Sequence, residues 1–82
     1  MKPTRVTNAI RALRFAHGEM TQADLADRIG VTRQTVIAIE QGRYSPSLEM
    51  AFRIAAVFGV RLDEVFQYPE APGFPDAPGG QA

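Results

Sequence analysis

The residues of this chain best suited to chemistry form a run of polar side chains, Thr32, Arg33, Gln34 and Thr35. An arginine can donate two hydrogen bonds to a guanine edge, and a glutamine can pair with adenine through two hydrogen bonds. A threonine can reach a phosphate oxygen or the methyl group of thymine. Because the run begins a segment of helical periodicity, it predicts a recognition helix whose first turn enters the major groove of double-stranded DNA.

Four further residues are candidates for contacts to the DNA backbone, which fix register rather than sequence. Gln22 lies in the first turn of the preceding helix, where amide donors and the helix dipole attract an anion. Arg43, Tyr44 and Ser45 follow the recognition helix and would flank the groove on its other side. For Arg43 the alternative is an ordinary solvated arginine, and for Tyr44 it is a purely packing role.

Ile37 is an apolar residue on a face that the helical period predicts to be exposed. Residues 33, 34, 37, 38 and 41 share this face, opposite Val36 and Ile39. Contact with a thymine methyl would explain Ile37, and so would packing against a protein partner; the sequence leaves both open. The candidate DNA-binding residues are Gln22, Thr32, Arg33, Gln34, Thr35, Ile37, Arg43, Tyr44 and Ser45.

The segment from Thr21 to Gly42 predicts two short helices joined by a tight turn. Thr21 is an N-cap, Asp24 completes a capping box, and Thr32 is placed to cap the second helix of the pair. Gly30 lies where the chain must turn sharply, because glycine reaches positive φ without steric cost. So short a link predicts helices that cross at about 90–120°, which projects the second helix from the body. The buried stripes are expected at Leu25, Ala26, Ile29, Val36 and Ile39.

Three more helices complete the prediction of an all-α domain. The first runs from about Thr7 to His17, with Ile10, Leu13 and Ala16 on one stripe, and the last is a short turn from Leu62 to Phe66.

The fourth helix, from about Ser47 to Phe58, is the most apolar and is expected to be the central core element. Either Ser45, ahead of Pro46 at the first helical position, or Ser47 itself would cap this helix. Its apolar residues are Leu48, Ala51, Phe52, Ile54, Ala55 and Phe58.

The length of 82 residues allows one small domain, which buries only about 60% of its unfolded surface. There is no cysteine, so a disulfide framework and a thiolate zinc site are both excluded, and oligomerisation is the remaining route to added stability. The apolar runs are far shorter than the roughly 18 residues of a membrane span, and the polar start of the chain predicts a cytoplasmic protein.

The net charge of zero hides an uneven distribution. Residues 1–62 carry all nine basic residues and five acids, whereas residues 63–82 carry four acids and no base. A positive body suits a polyanionic partner. Prolines recur at every third position from Pro69 to Pro78, among glycines, which predicts a disordered or loosely polyproline-like tail over residues 69–82 beyond a domain of residues 1–68.

The stretch TQADLADRIGVTRQTVIAIEQGRYSPSLEMAFRIAAVFGV resembles the Cro/C1-type (XRE family) helix-turn-helix regulators, the lambda-repressor-like DNA-binding domains. The likeness runs from about Ile10 to Phe66. It implies a compact five-helix domain that binds operator DNA as a homodimer. It also implies a phosphate contact for Gln22 and a structural ion pair between Arg14 and Glu40. Residues that match Arg33, Gln34 and Thr35 touch bases or adjacent phosphates in such proteins.

Chains that end in a segment such as Phe66-Gln67-Tyr68 are similar to compact stand-alone repressors without a separate ligand domain. In some of these relatives the N-terminal residues pair with the C-terminal stretch as a small antiparallel sheet, near which dimerisation occurs. Arg5-Val6-Thr7 and Val65 to Tyr68 would be the candidates here. The chain departs from the family pattern in two places: Gly18-Glu19-Met20 is one residue longer, and Ile37 and Ala38 stand where relatives often carry polar residues.

Two other classes of function compete with DNA binding. An enzyme is not favoured, because the single histidine, His17, is explained by its place at a helix C-terminus. No histidine stands at metal-ligand spacing from the acidic pairs, and no cofactor, metal site or inducer cavity is indicated. The alternative is a protein-interaction module, such as an antitoxin-like partner, that uses an exposed patch from Val65, Phe66 and Tyr68. The presence of Arg33 and Gln34 at the start of a helix favours DNA binding over this alternative.

Overall fold

The computed structural model describes residues 4–69, which form five helices and a two-stranded antiparallel sheet. The predicted five-helix class with a short β-ribbon is therefore confirmed. Residues 70–82 of the predicted tail lie outside the described residues. In chain order the elements are β1 (Thr7–Asn8), α1 (Ile10–Ala16), α2 (Gln22–Ile29), α3 (Arg33–Glu40), α4 (Leu48–Phe58), α5 (Leu62–Val65) and β2 (Phe66–Gln67).

The pair α2 and α3 begins and ends at the residues that the sequence predicted. The Thr21 hydroxyl accepts from the backbone N–H of Asp24 at 2.9 Å, and the Asp24 carboxylate accepts from the backbone N–H of Thr21 at 3.2 Å. Gly30 ends α2 with φ of 78°, a left-handed conformation that favours glycine. The Thr32 hydroxyl accepts from the N–H of Thr35 at 3.2 Å and caps α3. These local interactions fix where each of the two helices begins and where α2 ends.

The core is a single apolar cluster to which all five helices contribute. The stripes predicted on α2 and α3 are buried, as are most of the predicted inner residues of α4. The largest fully buried side chains are Ile10, Leu25, Ile29, Val36, Ile54 and Val65. The longest described helix, α4, has 11 residues, and no helix in the described part of the chain is long and apolar enough to span a bilayer.

The prediction for the start of α1 was wrong. The helix begins at Ile10 rather than at Thr7, because Thr7 and Asn8 pair with Gln67 and Phe66 in the sheet. The Asn8 carboxamide oxygen then accepts from the N–H of Ile10 at 3.1 Å, which turns the chain into the helix. The first strand thus spans residues 7–8 rather than the residues 5–7 that the family likeness indicated.

The predictions for the inner face of α1 and for the end of the last short helix were also wrong. Ala16, expected on the inner stripe with Ile10, is exposed. The last helix ends at Val65 instead of Phe66, because Phe66 is the first residue of β2. Val65 itself is fully buried, so it is not part of an exposed apolar patch.

The outer part of α4 differs from the prediction as well. Leu48 is 66% exposed and Phe52 is 54% exposed, so neither belongs to the core. Of the two possible caps, Ser47 is the one used, since its hydroxyl accepts from the N–H of Met50 at 3.1 Å. The Ser45 hydroxyl instead lies 2.6 Å from that of Thr4.

His17 follows the last residue of α1, as predicted, and holds two helix ends together. Its ring nitrogens lie 2.9 Å from the carbonyl oxygen of Leu13 and 3.1 Å from that of Phe58. The imidazole also packs on the Phe58 ring, with 5.2 Å between the ring centroids. These contacts give the histidine a structural role at the junction of α1 and α4.

The N-terminal segment touches both β2 and the end of α3. The Asn8 amide donates to the carbonyl oxygens of Ile39 and Glu40, at 3.1 and 3.4 Å. The N–H of Thr4 donates to the carbonyl of Gly42 at 3.1 Å. Since a helix leaves its last carbonyls without internal partners, Asn8 supplies donors at the C-terminal end of α3.

Candidate nucleic-acid interface

The outer face of α3 is open at its first turn. Arg33 and Gln34 are exposed, and neither side chain makes a hydrogen bond or an ion pair within the described residues. On the opposite side Val36 and Ile39 are 1% and 2% exposed, which fixes the rotation of the helix about its axis. The two polar side chains are therefore presented outward by an anchored helix.

Thr32 and Thr35 set the conformation of this first turn. Besides capping the helix, the Thr32 hydroxyl lies 3.1 Å from the hydroxyl of Thr35. Thr32 is exposed and Thr35 is half-buried. Both hydroxyls lie beside Arg33 and Gln34 in the chain, so a phosphate or base contact by either threonine is compatible with its capping role.

Further along the same face, Ile37 and Ala38 are half-buried and Gln41 is exposed. Partial burial of Ile37 supplies some of the packing that its apolar side chain needs. Its remaining surface lies next to Arg33 and Gln34 along the helix, where a thymine methyl or a protein partner would meet it.

Gln22 is held in place by a buried ion pair. The Glu40 carboxylate accepts from the Arg14 guanidinium at 2.6 and 3.1 Å, and these two side chains are each only 9% exposed. The same carboxylate accepts from the Gln22 amide at 3.3 Å. The ion pair that the family likeness implied is confirmed. Because a carboxylate only accepts, the Gln22 nitrogen must face Glu40, and its second amide hydrogen is free to donate to a phosphate.

Arg14 also ties these helices to the segment that precedes α2. Its guanidinium donates to the carbonyl oxygen of Met20 at 2.8 Å, and the N–H of Met20 donates back to the carbonyl of Arg14 at 2.9 Å. The longer turn at Gly18 and Glu19 is accommodated by positive φ at both residues, 75° and 57°. The start of α2 is thereby fixed relative to α3.

The three candidates that follow α3 have different surroundings. Arg43 is exposed, and its side chain makes no hydrogen bond or ion pair within residues 4–69. Tyr44 is half-buried and packs against the core, so its packing role is observed, while a phosphate contact by its phenol remains a prediction. Ser45 is exposed, with its hydroxyl engaged by Thr4.

A cleft of about 720 Å³ separates α1 from the start of α2 and the outer face of α3. Sequence reasoning did not single out Arg11 and Phe15, which form its α1 wall. The signal that would have found them is an exposed aromatic residue one helical turn from an arginine, on the side of α1 away from Ile10. The residues around the cleft include Arg11, Phe15, Gln22, Arg33, Glu40 and Gln41.

The model of a known family, described as helix-turn-helix, matches residues 10–65. This chain belongs to the helix-turn-helix family. The resemblance to Cro/C1-type regulators is thus confirmed over the segment that carries α1 to α5.

Individual relatives of this helix-turn-helix protein agree with that assignment. MJ0272 of Methanocaldococcus jannaschii, an uncharacterized HTH-type transcriptional regulator, is 49% identical over 63 residues, which cover 77% of this chain and 94% of MJ0272. The cryptic phage CTXphi transcriptional repressor RstR of Vibrio cholerae is 36% identical over 59 residues, covering 72% of this chain and 52% of RstR. A crystal structure of a protein from Bacteroides fragilis shares the fold, with a TM-score of 0.66, 22% identity, and coverage of 76% of this chain and 98% of that one.

Proposed function

We propose that this helix-turn-helix protein is a sequence-specific transcriptional regulator, acting as a repressor, that binds double-stranded DNA in the cytoplasm. The observation that carries the proposal is the outward presentation of Arg33 and Gln34 at the first turn of α3. MJ0272 is named as a transcriptional regulator and RstR as a repressor, which supports the same function.

In the proposed complex α3 lies in the major groove. The Arg33 guanidinium donates to a guanine, the Gln34 carboxamide pairs with an adenine, and Ile37 meets a thymine methyl further along the helix. Gln22 at the start of α2 and Arg43 beyond α3 contact phosphates on the two sides of the groove. Thr32, Thr35, Tyr44 and Ser45 complete the set as contacts to nearby backbone or bases.

We also propose that the protein acts as a homodimer on a palindromic operator, with half-sites about one helical turn, or 34–36 Å, apart. The surface for the second copy is an apolar area over the sheet and the start of α4, which we call the ribbon face. It holds two adjoining hollows of about 490 and 250 Å³, both lined by Val6, Leu62 and Phe66. Leu48 and Pro46 extend the face on one side, where Leu48 is 66% exposed.

A second copy is the occupant that this surface favours. A domain this small has a limited core, and burial of an apolar patch between identical copies adds to it. A two-fold interface brings the same patch of each copy together, and the same symmetry places two α3 helices on the two halves of a palindrome. At the edge, Arg61 donates to the Asp63 carboxylate at 3.1 and 2.9 Å, and this hydrogen bonding lowers the pKa of Asp63. An ionised pair beside the hollows matches the polar rim of a protein interface.

Leu48→Glu should convert the dimer to a monomer, because it places a charge on the apolar surface that the second copy would bury. Because Leu48 is 66% exposed, the monomer should still fold, although it loses the stability that contact with the second copy adds. Sedimentation velocity checks the association state. Ala16→Glu, at an exposed position of α1, adds the same charge outside the ribbon face and should leave the dimer intact; equal behaviour of the two variants would place the interface elsewhere.

Selection of bound duplexes from a random pool tests the function. The expected result is a palindromic consensus, bound with an affinity that falls steeply as the salt concentration rises in an anisotropy titration. Failure to enrich any sequence, together with weak binding that does not depend on salt, would contradict DNA recognition. That outcome would favour the alternative, an interaction module such as an antitoxin-like partner that uses the ribbon face for a different protein.

A further inference from the structure

Most arginines of the described residues fall into two groups. Three of them are hydrogen-bonded to carboxylates: Arg14, Arg53 and Arg61. Four others make neither a hydrogen bond nor an ion pair within residues 4–69: Arg11, Arg28, Arg33 and Arg43. Two of these four, Arg33 and Arg43, already belong to the proposed DNA-binding surface. Of the other two, Arg11 lies beside that surface.

Arg11 lies on the α1 wall of the cleft whose opposite wall carries Gln22 and Arg33. Its guanidinium carbon is 5.4 Å from the centroid of the Phe15 ring, one helical turn further along α1, and the guanidinium carbon of Arg14 lies 5.7 Å from the same centroid. Phe15 is 52% exposed, so burial in the core does not account for this aromatic residue. A cation over a ring face is attracted by the electrons of the ring, which restricts the positions that the Arg11 side chain adopts.

The charges that face the cleft leave it with a positive excess. Glu40 is neutralised by its two hydrogen bonds from Arg14, and Glu19 is the other acid on the rim. Arg11 and Arg33 are the two basic groups of the cleft without a carboxylate partner among the described residues. An anion that enters between α1 and α3 therefore meets more positive than negative charge.

We propose that Arg11 binds a phosphate of the DNA backbone across this cleft, so that the contact surface extends from α2 and α3 onto α1. The inference rests on the proposed DNA-binding function. With α3 in the major groove, the strand that borders the groove passes the start of α2 at Gln22, and its neighbouring phosphates face the α1 wall. The guanidinium fork matches a phosphate through two parallel hydrogen bonds. Phe15 acts as a positioning residue that keeps the guanidinium at the rim.

Arg28 provides a matched control. It is exposed, it has no hydrogen bond or ion pair within the described part of the chain, and it lies on the neighbouring helix α2. It is not among the residues that line the cleft. Arg28→Ala and Arg11→Ala change the net charge equally, so a difference between them reports position rather than overall charge.

The experiment titrates each variant against the selected operator duplex and against a random-sequence duplex at several salt concentrations, using fluorescence anisotropy. Arg11→Ala should weaken binding about tenfold at low salt and reduce the slope of log affinity against log salt by about 0.9 for each phosphate that the protein no longer neutralises. The weakening should be similar on both duplexes, since a phosphate carries no sequence information. Arg11→Lys should keep most of the slope. Arg28→Ala should stay within about twofold of the wild type with an unchanged slope.

The role of Phe15 is tested by Phe15→Leu, which keeps an apolar side chain and removes the ring. It should lower the affinity and the salt slope in the wild-type background, and change neither in the Arg11→Ala background. Phe15→Leu should change the thermal unfolding midpoint by the same amount in the wild-type and Arg11→Ala backgrounds. An equal loss of affinity with and without Arg11 would overturn the positioning role.

The outcomes separate this inference from the function on which it rests. If the wild type itself shows no salt-dependent DNA binding, both the proposed function and the α1 contact are overturned. Specific binding by the wild type, with Arg11→Ala indistinguishable from Arg28→Ala, would overturn only the α1 contact.

Discussion

Replacement of Glu40 by alanine should lower the free energy of unfolding by about 3–5 kcal/mol. The change leaves the Arg14 guanidinium buried without its carboxylate, and an uncompensated buried charge costs far more than a broken surface ion pair. Small domains are stable by about 5–15 kcal/mol in total, so the decrease is a large fraction of the whole. Urea denaturation followed by circular dichroism measures it.

The control is Glu49→Ala, which breaks the exposed pair between Glu49 and Arg53 within α4. Those side chains are 79% and 54% exposed and lie 3.2 Å apart. Solvent screens such a pair, so the expected change is about 0.3–0.5 kcal/mol. Similar decreases for Glu40→Ala and Glu49→Ala would contradict the structural importance of the buried pair.

A double replacement separates stability from DNA binding at this site. Arg14→Met together with Glu40→Leu removes both charges and should restore much of the stability, because apolar residues often replace a buried ion pair without penalty. It also removes the carboxylate that holds Gln22. The double variant should therefore fold well and still bind operator DNA less tightly than the wild type, whereas wild-type affinity would show that Glu40 does not position Gln22.

Arg33→Ala should relax base preference at one position of each half-site, at a cost of about 1–3 kcal/mol for the preferred base. The reason is that the guanidinium is the group proposed to read a guanine edge, and alanine has no donor to replace it. Repeated selection with the variant, followed by titration of duplexes that differ at single positions, measures the effect.

Arg43→Ala is the comparison for Arg33→Ala, since both arginines are exposed and without partners within residues 4–69. It should weaken binding to all duplexes alike and flatten the salt dependence, as removal of a phosphate-binding cation does. A uniform decrease in affinity from both variants would contradict the division between base contacts and backbone contacts.

The parts of the fold that the sequence predicted are those that depend on local interactions. The caps of α2 and α3 are hydrogen bonds between residues three apart in the chain, such as Thr21 with Asp24. For α4 the sequence left Ser45 and Ser47 as alternatives, and Ser47 is the cap. The turn at Gly30 needs a backbone conformation that favours one residue type. Both kinds of signal are visible in a short window of sequence.

The parts that the sequence did not predict depend on distant segments. The family likeness predicted the β-ribbon but not the exact bounds of its first strand, because a strand of two residues such as Thr7–Asn8 has no periodicity of its own and forms only where β2 returns beside it. Leu48 and Phe52 fit the apolar period of α4, yet the period does not show how wide a stripe the core covers.

The candidate site shows the same division. Arg33 and Gln34 were predicted from residue type and helix position, which are local properties. The hydrogen bond between Gln22 and Glu40, and the position of Arg11 and Phe15 across the cleft from α3, depend on how α1, α2 and α3 are oriented. A sequence pattern alone does not give that orientation.

The two attachments of Asn8 have a consequence for operator geometry in the proposed dimer. Its backbone pairs with Phe66 at the ribbon face, while its amide holds the carbonyls of Ile39 and Glu40. This one residue therefore connects the proposed dimer interface to α3, the helix that enters the groove in the proposed complex. Because this connection is so short, the distance between the two recognition helices of the dimer should vary little. Operators with a base pair inserted between their half-sites should therefore be bound poorly.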